Sequence, residues 1–221
     1  MRMDASLQFG VPEPFVFEAP SSWICRLALA QGCTSNEMLR FLQPASHGRY
    51  DLEKGPQHVV LDVLHAKVNL PARAFVEASF VLDVFGNAPK LMTATGRPRF
   101  RYCPMCLFER PTAYLDIHWR YADWRHCLFH QCELEDRCMA CGAWLVYPHD
   151  MVASFAGRSG HASQRRCQDC ASDLAKTQVR ARPLERRGVL TELEQRWLWD
   201  AGPLLVRLGA RYSSAIKLLH R

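Results

Sequence analysis

Eight residues between positions 103 and 170 carry the clearest chemical pattern in the chain. Cys103-Pro-Met-Cys106, Cys127-Leu-Phe-His130, Cys138-Met-Ala-Cys141 and Cys167-Gln-Asp-Cys170 are four pairs, each with two residues between its members. A gap of two lets one tight turn aim both side chains at a single ion, with thiolate sulfur at about 2.3 Å and imidazole nitrogen at about 2.0–2.1 Å from zinc. Two pairs close a tetrahedron, so four pairs make two. Sequential pairing gives a first site of Cys103, Cys106, Cys127 and His130 and a second of Cys138, Cys141, Cys167 and Cys170. A cross-braced arrangement would interleave them; spacing leaves both open, and the sequential one is simpler. Four protein ligands fill the coordination sphere, which marks structural rather than catalytic metal. The expected cofactor is two structural Zn²⁺ per chain.

Three cysteines are left over. Cys25 and Cys33 sit among apolar neighbours in a helical pattern, as small core residues do. Cys132 lies two residues beyond His130 and could compete as a ligand; it ranks as a bystander because the other eight residues already complete two sites.

The rest of the composition is that of a globular protein. Of 221 residues, 48% are hydrophobic, enough for a core. The longest apolar runs, such as 59–61 and 80–82, fall far short of the roughly 20 residues a membrane span needs. The opening Met1-Arg2-Met3-Asp4 has no apolar signal core. A cytoplasmic protein with no membrane partner is expected, and its reduced thiols favour metal over disulfides. The formal charge of +6 falls to +3 once seven thiolates bind two zinc ions, so a case for nucleic acid must rest on local clusters.

The elements around these pairs read as mainly α with small zinc-binding modules: an N-terminal helix-turn-helix-like domain, two zinc fingers or ribbons, and a C-terminal helical segment. Residues 1–98, 99–180 and 181–221 are the expected units. After a proline-containing arm, the pattern becomes helical at Ser21, with Ser21 or Ser22 as cap, Trp23, Leu27 and Ala30 on one face, and Gly32 ending the helix. Thr34 or Ser35 caps a second helix carrying Met38, Leu39, Phe41 and Leu42, closed by Pro44. Helix, Gly32 turn, helix is a helix-turn-helix outline, although plain helical hairpins are commoner. A second pair is expected at 59–67 and from Asn69, as cap, through Phe75 to Leu82. Residues 86–98 read as loop. Arg97, Arg99 and Arg101 then form the candidate nucleic-acid or partner-binding cluster. Trp119 and Trp124 read as core of a small zinc module. Residues 151–166 read as a loop within the second site, and helices are expected at 184–200 and 204–219.

No enzyme motif is present. Phosphate loops, dinucleotide fingerprints, a nucleophile elbow and the zinc deaminase signature are all missing, so a non-enzyme is expected.

Two stretches resemble the TniQ family of transposition target-selection proteins. Glu18-Ala-Pro-Ser-Ser-Trp-Ile-Cys-Arg-Leu-Ala28 is similar to that family's opening segment. Tyr102-Cys-Pro-Met-Cys-Leu107, Tyr114, Trp119-Arg120, Cys127-Leu-Phe-His130, Leu134 and Cys138-Met-Ala-Cys-Gly142 follow its order of paired cysteines, Trp-Arg, Cys-x-x-His and Cys-x-x-Cys-Gly. Cys167 and Cys170 fit the family's second zinc site. The sequence departs at Leu128 and Gln131, where members often carry Pro and Gly. The resemblance implies a non-catalytic adaptor that links a target-recognition element, either target DNA or a CRISPR RNA-guided effector complex, to an AAA+ transposition regulator. A second copy of the chain is a further candidate partner. The alternative is a stand-alone zinc-dependent, sequence-specific DNA-binding regulator.

Overall fold

Pro20 opens the first helix and Gly32 closes it. In the computed structural model, which describes residues 7, 9–42, 51–54, 64, 66–71, 74–85, 91–127, 129–149 and 162–180, α1 spans Pro20–Ala30 and α2 spans Ser35–Leu42. Ala19 is the N-cap of α1, without a side-chain bond. The expected caps Ser21 and Ser22 instead lie within the first turn and are fully buried. Gly32, at φ 65°, takes the left-handed conformation that ends a helix at little steric cost, and the Cys33 amide bonds back to the Ala28 carbonyl at 3.0 Å. Thr34 and Glu37 form a reciprocal capping box ahead of α2: the Glu37 amide donates to Thr34 Oγ1 at 3.1 Å and the Thr34 amide to Glu37 Oε2 at 2.8 Å.

The helix expected from Asn69 starts later. Asn69 and Phe75 both have positive φ, 27° and 61°, so regular helix begins only beyond them, as α3, Val76–Phe85. Of the helix expected at 59–67, only Leu64, Ala66 and Lys67 are described, all helical. The expected helices at 184–200 and 204–219 lie outside the described residues.

Residues 91–100, read as loop up to 98, contain a hairpin. β1, Thr93–Ala94, pairs antiparallel with β2, Arg97–Phe100, across Thr95 and Gly96. Both turn residues have positive φ, 53° and 77°, the geometry that matches strand twist in a two-residue hairpin. A short helix α4, Pro104–Glu109, follows, then the ladder of β3, His126–Cys127, with β4, Cys132–Glu133. β5, Leu145–Val146, returns to the far edge of β2, giving a sheet of order β1-β2-β5. Among the described residues, short helices and small sheets thus alternate.

One buried cluster runs from Phe17 to Leu174, taking in Trp23, Leu27, Phe100, Tyr102, Trp119, Trp124 and Tyr147. Trp119 and Trp124 are core, as expected from sequence. The boundary expected after residue 98 falls inside β2, and backbone bonds cross it: Ala19 N–H to the Leu115 carbonyl and Ile117 N–H to that of Phe17.

Buried charge fastens the helices to this core. Arg120, with no exposed surface, donates to Asp51 at 2.6 and 3.0 Å, to Glu53 at 2.7 Å and to the Met92 carbonyl at 2.8 Å. Glu53 also accepts from the Ser21 hydroxyl and amide at 2.6 and 2.8 Å. Burial raises the Glu53 carboxyl above its ordinary range; at Asp51 burial also pushes upward, but the hydrogen bonds and charge of Arg120, with Glu53 and Lys54, together outweigh it and lower the carboxyl. Glu18 is fully buried against Arg26 and Ser22, and the Trp23 indole donates to the Pro12 carbonyl at 2.7 Å. The motif running from Glu18 to Ala28 is therefore a scaffold for α1.

Candidate metal centres

Cys103, Cys106, Cys127 and His130 come together in one cluster, and Cys138, Cys141, Cys167 and Cys170 in another; within each, all ligand atoms lie within 4.8 Å of one another. The grouping follows chain order. Tetrahedral zinc with the bond lengths above requires S···S edges of about 3.8 Å and S···N edges of about 3.5 Å. In the first cluster His130 Nδ1 stands 3.5, 3.3 and 3.4 Å from the sulfurs of Cys103, Cys106 and Cys127, and the Cys106 and Cys127 sulfurs are 3.5 Å apart. In the second, Cys138 and Cys170 are 3.7 Å apart and Cys141 and Cys167 3.6 Å. Both clusters have the size of a zinc tetrahedron.

The local backbone explains the spacing. Cys103 is the N-cap of α4, its sulfur accepting from the Cys106 amide at 3.4 Å, and Pro104 supplies the first helical position. The other three pairs share a different turn. The residue after the second ligand donates its amide to the first ligand's carbonyl: Gln131 to Cys127 at 2.9 Å, Gly142 to Cys138 at 2.8 Å and Ala171 to Cys167 at 2.9 Å. Each of these residues has positive φ: 50°, 76° and 61°. That conformation favours glycine, so the departure at Gln131 from the glycine often found there has a steric cost.

Without an ion the first cluster is electrostatically frustrated. Hydrogen bonding with Cys106 and Cys127 draws the Cys103 thiol far below the usual range, and partnership with Cys103 drives Cys106 far above it. A divalent cation lets all three sulfurs ionise together, so the donor set fits zinc. The second nitrogen of His130, Nε2, faces Glu109 Oε2 at 3.0 Å, a partner that orients the ring for bonding through Nδ1.

The sequence profile of the TniQ family matches residues 10–134, more than half of the chain. The chain belongs to the TniQ family. Membership gives it a transposition-associated role. The matched span contains both quoted motifs up to Leu134, all four ligands of the first cluster, and ends before Cys138. Comparison with curated proteins gave no match. Among the described residues no helix is long and apolar enough to cross a membrane.

The three arginines singled out in sequence do not form one free patch. Arg101 donates to the carbonyls of Tyr121, Ala122 and Trp124 at 3.2, 2.8 and 2.9 Å, holding the loop before β3. Arg99 pairs with Asp136 and stacks on Trp144. Arg97 is the exposed member, on the same face of β2 as Arg99. Sequence reasoning quoted Arg120 only as part of the Trp119-Arg120 motif and passed over Asp51 and Glu53; an Arg after Trp119 gives no sign that it is buried. It also left unnoticed a groove of about 790 Å³ between the N-terminal arm and the first cluster, walled by Phe15, Glu109, Tyr114, Phe129 and His130.

Proposed function

We propose that this TniQ-family chain is a non-catalytic adaptor in DNA transposition, folded around two structural zinc ions, that joins a target-recognition element to an AAA+ regulator. Cys103, Cys106, Cys127 and His130 hold one ion; Cys138, Cys141, Cys167 and Cys170 hold the other. The family match over residues 10–134 carries this reading. Four protein donors at tetrahedral spacing in each cluster support it, since a filled sphere has no place for substrate or attacking water.

A stand-alone DNA-binding regulator finds less support. If α2 entered a major groove as a recognition helix, its outward residues would be Asn36, Glu37 and Arg40. That face is charge-balanced, and Glu37 is committed to its capping box. Phosphate attraction needs a surplus of Lys and Arg.

The test is binding with partners presented separately. The purified chain, carrying two zinc ions by mass spectrometry, retains the AAA+ regulator at physiological salt, while duplex DNA alone binds weakly and with steep salt dependence. Tight binding of one DNA sequence, with no retention of the regulator, would favour the stand-alone reading. Arg97→Ala is the clean probe of the exposed arginine, with stability changed by less than about 0.5 kcal/mol. Arg101→Ala would perturb the loop it holds and confuse the result.

A further inference from the structure

We propose that Cys132 is a reserve ligand of the first metal site, able to take the fourth position when His130 leaves, so that the imidazole can be withdrawn without loss of the ion. The inference rests on the zinc reading above.

Cys132 is the fifth donor within reach of this site. Its sulfur is 3.6 Å from that of Cys103, the length of a tetrahedral edge. The β3–β4 ladder fixes this placement: Cys127 and Cys132 are directly opposed partners, and the turn between them carries His130. The two rival donors therefore hang from the same hairpin, anchored by the same ligand. Their surroundings differ. Cys132 is 1% exposed and belongs to the core cluster. His130 lines the open groove, where its partner Glu109 is more than half exposed.

The exchange balances. The Zn–Nδ1 bond breaks and a Zn–S bond to Cys132 forms. The thiol proton of Cys132 passes to the freed imidazole, and Glu109 then faces an imidazolium across the groove wall. The ion stays four-coordinate, in a Cys₄ site, and total charge is unchanged. A ligand or partner filling the groove and engaging His130 and Glu109 could thus change the coordination of the site without emptying it. A plain core cysteine, the bland alternative, would do none of this.

The test counts metal and thiolates in the full chain. The unaltered protein should hold two zinc ions, and its cobalt-substituted form should show sulfur-to-metal charge transfer from seven thiolates. His130→Ala should still hold two ions, with charge transfer rising to eight thiolates. Cys132→Ser alone should match the unaltered protein, and the double variant should release both ions and lose its cooperative melt, as any loss of the first site's ion does. Loss of one ion or of the fold in His130→Ala, retention of two ions with only seven thiolates, or a double variant that keeps both ions would each overturn the proposal. Fewer than two ions in the unaltered chain would overturn the zinc assignment itself.

Discussion

The first metal cluster is built into the core and the second stands at its edge. Cys103, Cys106 and Cys127 are buried, with Leu107, Trp119 and Trp124 in the same apolar cluster. In the second cluster Cys138 and Cys167 are buried but Cys141 and Cys170 are exposed, beside exposed Met139 and half-open Trp144. One pair of the first cluster and both pairs of the second share the same turn, so turn geometry does not account for the contrast. The difference is how much of the protein depends on each ion. In a small structural site the free energy of zinc binding is largely folding free energy, about 10–16 kcal/mol in isolated fingers. Where the ion also organises a core, losing it should exceed the whole stability of a typical domain, about 5–15 kcal/mol.

The sharpest way to break this comparison is one serine in each cluster. Cys106→Ser should abolish the cooperative thermal transition and release both ions. Cys141→Ser should lose one ion and keep a cooperative melt, with amide protection lost mainly around 138–146 and 162–176. Equal collapse of both variants would mean that the exposed cluster is as central as the buried one.

Next in size is the buried ion network that, among the described residues, has no counterpart behind the second cluster. Arg120→Ala leaves Asp51 and Glu53 buried without their cation, which should cost about 3–5 kcal/mol in denaturant unfolding, as breaking such pairs does. A loss under about 1 kcal/mol would show that water reaches these carboxylates.

A smaller effect compares the shared turns. Gly142→Ala meets no atom within 4 Å, so its cost is backbone strain alone, about 1–2 kcal/mol. Gln131→Gly, in the buried cluster, should go the other way by less than about 1 kcal/mol, the relief of φ 50° being partly offset by lost unfolded-state stiffness. Matching destabilisation by both would overturn the shared-turn account.

The four ligand pairs were legible because metal geometry acts locally: two intervening residues either suit the turn or do not. α1, α2 and the Gly32 turn were legible for the same reason, since periodicity and a capping box such as Thr34 with Glu37 are written in adjacent residues. The start of α3 was not, because no turn signal in the adjacent residues announces the left-handed backbone at Asn69 and Phe75. The hairpin at β1–β2 was hidden by strands of two and four residues, too short for an alternation to register. Arg120 and Glu53 look like surface residues in sequence, and only the fold shows that they meet 67 positions apart. The fate of Arg99 and Arg101 was likewise decided by remote partners, Asp136 and the carbonyls of 121–124.

One link has a consequence for how the chain is made. Inside α1, the Ser22 hydroxyl bonds to Gln164 at 2.8 Å, and the Gln164 amide group returns a bond to the Ser22 carbonyl at 2.7 Å, across 142 residues. At about 5–20 residues per second, a ribosome takes roughly 7–28 s to add that much chain. For that time the first helix has emerged without its last partner, its Trp23 and Leu27 face waiting for residues still unmade. Contacts of such long separation slow folding and expose apolar surface meanwhile. The last zinc ligands, Cys167 and Cys170, are made later still.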